Sequence, residues 1–507
     1  MRRSDHAVGE SSAAPGSILR ALGLTLVAQV LVAAGTLLLF RLLALNAGAE
    51  GFASFSLVRQ AVTLLFPLVT VGLIGGLPRY IALGGESAPA AEAYLAAAVG
   101  ICGVAVAVTV AAALAFPAVT AGVFFGDAGA TNLVGPFAAL LVATSGFFVA
   151  YGYFRGQQRI SRANVLQIAG VGVAPPLLLA LWPDIAVDTL VLLMAAALGA
   201  LSLGSVAGPL VRGVAGRARG RARVAGRSLL GYGGRRVPGE LAQVGLFALV
   251  PVLGAHVATL RDVAYLAAGL QVLALVSVAM APLGVVLLPA LAQTWAQDRG
   301  RASRQVAALA ALALHAALFA LVQAVLFADI AVRAWLGPAF AAADEIVRIV
   351  VLAVPFYAFY FALRSALDAA SVRSYNSRSN IAALAVFIAV AAGMLATDAV
   401  APALCVATAF TVGIAVQGTA TFVFIHRVFA VRWSDYGLAT VLPLAALTAV
   451  AGLAMRPLID GAQGSLALLV GLEIVLGTAY VAALAWRRTP WTQALLERLP
   501  GKRRPRD

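Results

Sequence analysis

Charge is scarce in this chain. Only 11% of its 507 residues are Asp, Glu, Lys or Arg, too few to coat a soluble body of that size. Lysine is almost missing: of 36 basic residues only Lys502 is a lysine, a bias in keeping with a GC-rich bacterial genome. The two cysteines, Cys102 and Cys405, both fall in apolar runs. They offer no disulfide framework and read as small buried hydrophobes. Four histidines supply neither a metal-ligand cluster nor a Ser-His-Asp arrangement, and no Gly-Lys-Thr phosphate loop is present. No soluble stretch is long enough to hydrolyse ATP. These absences argue against an enzyme and imply no cofactor and no metal. They leave an ion gradient, the membrane potential or consumption of product as energy sources.

Apolar sequence fills the rest. Hydrophobic residues make up 62% of the chain, and mean hydropathy is +0.96. Runs of about 20 apolar residues, the length that spans a bilayer as a helix, recur from end to end. They are Leu-, Ala- and Val-rich without two-residue alternation, so helices rather than a barrel are expected. Fourteen spans result: 17–40, 57–80, 91–116, 134–154, 164–182, 188–211, 237–256, 263–290, 304–327, 345–367, 380–396, 401–425, 437–456 and 465–486. The first is too long for a signal-peptide core and lacks a small-x-small cleavage site, so it counts as a span.

Arginine sets the orientation. With a cytoplasmic N-terminus, 30 of the 36 basic residues fall on the cytoplasmic side, and only Arg41, Arg59, Arg261, Arg333, Arg348 and Arg456 fall outside. This is a strong positive-inside asymmetry, and an even number of spans leaves both termini in the cytoplasm. The arginine-rich stretch from Arg212 to Arg227, which resembles a nucleic-acid-binding arm out of context, then becomes a cytoplasmic loop. It helps fix topology and meets anionic membrane lipids; no nucleic-acid partner is expected.

That loop divides the first twelve spans in half. Ser161-Arg162-Ala163-Asn164 opens span five and Ser377-Arg378-Ser379-Asn380 opens span eleven. Gln60 precedes Leu77-Pro78 in span two at the same spacing as Gln271 precedes Leu288-Pro289 in span eight. These pairs suggest a parallel repeat of two six-helix lobes enclosing a cavity. The expected division is a first lobe over 1–211, a basic linker over 212–236, a second lobe over 237–430, two added helices within 431–486 and a basic tail over 487–507. Pro67, Pro78, Pro282 and Pro289 lie in spans two and eight, either as hinges between lobes or as static kinks. Gly72-x-x-x-Gly76 and Gly204-x-x-x-Gly208 read as sites of close helix approach.

Several stretches resemble a known family. They are Gly51-Phe-Ala-Ser-Phe-Ser-Leu-Val-Arg-Gln, Gly75-Gly-Leu-Pro-Arg-Tyr-Ile-Ala, Tyr153-Phe-Arg-Gly-Gln-Gln-Arg, and Asp262-Val-Ala-Tyr-Leu-Ala-Ala with Pro282-Leu-Gly-Val-Val-Leu-Leu-Pro. Over roughly the first 430 residues the chain resembles Wzx-type polysaccharide flippases of the MOP superfamily, which also holds lipid II flippases and MATE drug exporters. The resemblance implies a multi-pass protein of the bacterial cytoplasmic membrane that flips a polyprenyl-diphosphate-linked oligosaccharide to the outer leaflet by alternating access. It also implies polysaccharide polymerase machinery as a partner. A peptidoglycan-precursor flippase and a cation-coupled small-molecule exporter are the alternatives. The shortage of mid-membrane acids in the first six spans argues against the exporter, and the short outer loops argue against a membrane glycosyltransferase.

A diphosphate calls for arginine, whose planar fork binds phosphate oxygens in pairs. If spans one, two, seven and eight line the cavity, as in relatives, the candidate ligands are Arg41, Arg59, Gln60, Arg79, Arg235, Arg236 and Gln271. Arg41 and Arg59 would serve the outer mouth, Arg79, Arg235 and Arg236 the inner. Snorkelling anchors are the competing account for the inner three, and an ion pair with Glu50 for Arg59. Glu240 reads as an ion-coupling carboxylate or as the partner of Arg236. His315 reads as a titrating coupling group or as an interhelical hydrogen bonder. Glu473 would hold the added hairpin to the bundle.

Overall fold

In hydrocarbon a backbone can satisfy its own polar groups only as a helix or a closed barrel, and long Leu/Ala/Val runs take the helix. The computed structural model describes residues 15–83, 88–214, 218–234, 236–370, 374–461 and 466–486. Those residues form twenty α-helices and no strand. They are α1 (Pro15–Asn46), α2 (Gly48–Thr70), α3 (Leu73–Leu83), α4 (Ala88–Ala115), α5 (Pro117–Phe125), α6 (Val134–Gly156), α7 (Ile160–Gln167), α8 (Ala174–Leu181), α9 (Val187–Val214) and α10 (Ala218–Gly233). There follow α11 (Val237–Val257), α12 (Leu260–Gln297), α13 (Arg299–Leu326), α14 (Ala328–Leu336), α15 (Asp344–Val351), α16 (Val354–Ala370), α17 (Tyr375–Leu395), α18 (Pro402–Phe429), α19 (Leu438–Gly461) and α20 (Leu466–Trp486). Thirteen helical segments are long and apolar enough to cross a membrane. A bent pair, 338–351 with 354–370, makes a fourteenth. The chain is therefore an all-helical, multi-pass membrane protein.

Three elements differ from the sequence expectation. Span two, expected at 57–80, is a straight helix over Gly48–Thr70 followed by a break and the short α3. The break falls at Val71 (φ 47°) and Gly72 (φ 70°), both left-handed, rather than at Pro67 or Pro78, which sit inside α2 and α3. Span ten bends by 50° between α15 and α16. The basic segment at 212–236, expected as a linker, is largely helical: Arg212 lies in the last turn of α9, and α10 packs on α3 and α4.

The docking of α10 explains two glycines. A Cβ on Gly233 would lie 1.9 Å from the Val71 carbonyl oxygen, and one on Gly72 would lie 2.6 Å from the Gly233 Cα. The end of α10 is thus seated backbone to backbone in the break of span two, and only glycine fits. By contrast, Gly204 has no neighbour within 4 Å, so its motif marks no close crossing among the described residues. Pro282 and Pro289 lie on the continuous α12, but their side chains are outside the described residues.

α11 is the central strut. It packs on α2 from the first half of the chain and on α17 and α18 from the second. The added hairpin, α19 and α20, is held mainly by α13 and by polar bonds. His315 Nδ1 lies 2.9 Å from the Tyr480 hydroxyl, and Gln323 donates to Glu473 at 2.9 Å. Glu473 thus ties the hairpin to the bundle, and His315 is an interhelical hydrogen bonder. Near the end of the bundle away from α10, Arg456 forks onto Asp329, which also meets Arg348 at 3.3 Å.

Burial alone would raise the Asp329 carboxyl, but hydrogen bonds and charge from Arg456, with its own backbone amide and Arg348, more than offset this and hold it below the usual carboxylate range. A depressed carboxyl stabilises the fold above its unfolded pKa, and that stabilisation is lost as pH falls through the folded value. Asp329→Asn should cost roughly 1.5–3 kcal/mol at neutral pH, the worth of hydrogen bonds to a charged group. The variant should lose less stability than the parent on acidification; thermal unfolding in detergent across that pH range measures both.

Candidate functional site

Where α3, α10, α11, α16 and α17 converge, a cavity of about 1230 Å³ opens. This exceeds the roughly 300–1,000 Å³ usual for small-ligand pockets. Among the described residues four arginines line it: Arg79 from α3, Arg227 from α10, Arg236 just before α11, and Arg364 from α16. Glu240 and Asp368 are its acidic members, so cations exceed anions.

Tyr232 organises the cations. Its ring lies 4.7 Å from the Arg236 guanidinium and 5.4 Å from that of Arg79. Tyr80 meets it edge-on at 5.9 Å. Two like charges that would repel are thus held by one aromatic ring, each contact worth about 0.5–1 kcal/mol at an exposed site. Arg364 stacks on Phe361 at 3.9 Å, and Asn376 caps its carbonyl at 2.9 Å. Asn380 donates to the Gly239 carbonyl and accepts from the buried Gln417 at 2.8 Å, binding α17 to α11 and α18. No ion pair joins Glu240 to Arg236 among the described residues, and Glu240 Oε2 is buried without a hydrogen bond.

The opposite end is shut. Arg41 donates to the carbonyls of Ala334 and Trp335, the latter at 2.9 Å, and Trp335 Nε1 donates back to Leu37 O at 3.1 Å. Phe40, Phe52 and Phe340 pack in series, tilted and then edge-on, at 5.0 Å per step, with Tyr265 edge-on to Phe340 at 5.8 Å. Between this seal and the cavity lies Arg59. It sits eleven residues from either end of α2, midway along the span rather than in its outer part, because that helix begins at Gly48, before the expected start at 57, and breaks off at Val71. Arg59 meets Gln271 at 3.5 Å, at the long limit of a hydrogen bond, and lies 5.4 Å from the Phe40 ring. The ion pair with Glu50, the competing account of this arginine, is not among its contacts.

The candidate set therefore splits. Arg79 and Arg236 line the cavity, as does Glu240. Arg41, Arg59 and Gln271 belong to the closure and the contact beneath it, not to the cavity wall. Gln60 is half-buried on α2, and Arg235 is outside the described residues. His315 is buried against Tyr480 in the hairpin interface and does not line the cavity. Sequence reasoning missed Arg227, Tyr232, Arg364 and Asp368. Arg364 and Asp368 carried a usable signal: two charges four residues apart at the edge of an apolar run. Tyr232 carried none, since only the fold brings it between two arginines.

No protein-family description matches the chain, and no curated protein matches it in sequence. Among solved structures it is similar to lipid II flippase MurJ in an inward closed conformation. The TM-score is 0.64 at 11% identity, covering 94% of this chain and all of that one. The eukaryotic MATE transporter AtDTX14 is more distant, with a TM-score of 0.48 at 14% identity over 83% of this chain and 97% of that one. The chain has the fold of MurJ.

The one-ended cavity makes an accessibility prediction. Both native cysteines are buried, so background labelling is low. A cysteine replacing Ser365 on the cavity wall should react with a hydrophilic methanethiosulfonate reagent. One replacing Ser56, buried within α2, should not; labelling there would show that the seal is open.

Proposed function

We propose that the chain is a flippase for a polyprenyl-diphosphate-linked oligosaccharide, working by alternating access, with the basic end in the cytoplasm. The observation that carries this is the arginine-lined cavity, open at one end and sealed at the other. A polyanionic headgroup needs charge-assisted donors in a partly desolvated space. Arg79, Arg227, Arg236 and Arg364 provide them, while the lipid tail remains in the bilayer. Arg59 is the next cation inward. An arginine at that depth costs about 2.5–3.5 kcal/mol on insertion scales and normally faces a partner or a cavity. Here it meets an amide and an aromatic ring, so an arriving phosphate offers it a stronger partner. Arg41 then acts at the outer mouth. Spans two and eight hinge the two six-helix halves, 1–211 and 237–430, with the Val71–Gly72 break as the first-half hinge. Of the two coupling candidates, Glu240 keeps that role because it faces the cavity.

A second reading, a lipid II-type peptidoglycan-precursor flippase, is favoured by the fold shared with MurJ over 94% of the chain. It uses the same diphosphate chemistry and differs in the headgroup. Lipid extracts from a deletion strain, analysed by mass spectrometry, separate the two. A glycan-linked lipid accumulating on the inner side supports the first and its mass names the sugar. Accumulating lipid II supports the second. An unchanged lipid-linked pool sinks both.

Arg79→Gln and Arg236→Gln should each lower flux roughly tenfold to a hundredfold, the equivalent of losing about 1.5–3 kcal/mol of charge-assisted bonding. Complementation of the deletion strain with each variant reads this out; full export with both replaced would overturn the proposal.

A further inference from the structure

Arg227 and Tyr232 of α10 serve the cavity. Ala225, Leu229 and Gly233 are buried against the bundle. The outward face carries Arg223, Val224 and Leu230, all exposed, with Arg221 at its flank. Val224 is 66% exposed and Leu230 45%. Arginines alternating with exposed aliphatic side chains, on a helix rooted at both ends in membrane spans, are the pattern of a helix lying in a bilayer interface. The guanidinium groups reach headgroup phosphates while the aliphatic groups enter the acyl boundary. The position agrees: Gly226 of α10 faces Ala97 and Ile101 of the membrane-spanning α4. The one described acidic neighbour at this end of α9 is already engaged, since Glu92 pairs with Arg212 at 2.6 Å. The exposed arginines of α10 form no ion pair among the described residues.

We propose that α10 is a docking helix for anionic phospholipid headgroups. The consequence reaches the cavity, because the far end of α10 is seated in the break of span two. Gly233 touches Val71 and Gly72, and Tyr232 packs beside Gly76 and holds Arg79. Headgroup contact on one face of α10 thereby sets the placement of α3 and its arginine on the other. The ligand of α10 is bilayer lipid rather than transported cargo, whichever substrate is carried.

The test uses the full chain in vesicles and needs no transport. Val224→Cys, labelled with an environment-sensitive fluorophore, is reconstituted in phosphatidylcholine with and without phosphatidylglycerol. The expected result is a blue shift with phosphatidylglycerol that high salt removes. Adding Arg221→Gln and Arg223→Gln should weaken the response about fivefold per arginine. Unchanged thermal unfolding of this triple variant in phosphatidylcholine vesicles shows that its fold is intact. Identical spectra in the two lipids would overturn the proposal. So would a lipid response that survives loss of both arginines, or an equal shift when RNA is added to neutral vesicles.

Discussion

A guanidinium inside hydrocarbon is costly unless something polar or aromatic meets it, and this constraint governs where the chain puts its structure. Arg59 is the plainest case. It lies at mid-span, and its two described contacts, Gln271 and Phe40, come from α12 and α1. Meeting it therefore draws three helices together at one depth. Phe40 is also the first ring of the aromatic series that runs through Phe52 to Phe340. The same side chain is thus shared between the buried cation and the seal, so displacing one disturbs the other.

Below that point the requirement reverses. The cavity gathers four arginines where water can reach them, and the fold must keep them from repelling one another apart. Tyr232 and Phe361 hold three of them against aromatic rings, with the carboxylates of Glu240 and Asp368 on the same wall. A carboxylate partner would neutralise the cation and compete with an incoming anion. An aromatic face positions the guanidinium and leaves its donors free. At the sealed end the arginines are used differently: Arg41 is spent on backbone carbonyls, and Arg348 and Arg456 on Asp329. One residue type serves as ligand or as clasp according to what the fold sets beside it.

Span two is interrupted at Val71–Gly72. Proline was the natural place to look for a hinge, since it removes a helix hydrogen bond. Yet Pro67 and Pro78 sit within their helices, and the chain turns between them through two left-handed residues. The turn persists because Gly233 fills the space beside it. A segment distant in sequence thus stabilises a local conformation that neither proline specifies.

Much of the architecture was legible without coordinates. Apolar run length gave the spans, because a bilayer demands a minimum length of self-satisfied helix. Arg79, Arg236 and Glu240 could be nominated, since charges at span edges are conspicuous against so apolar a background. Glu473 could be assigned to the hairpin interface for the same reason. Residues whose role depends on neighbours remote in sequence were hidden: Tyr232 between two arginines, Arg59 against Gln271, and His315 on Tyr480. The sequence by itself determined that this protein is a stack of membrane helices with its arginines biased to one side, because hydropathy and charge act locally and add along the chain. Only the tertiary structure decided which arginines share a cavity, where span two breaks and which end is closed, because those depend on distances between helices that no run of residues encodes.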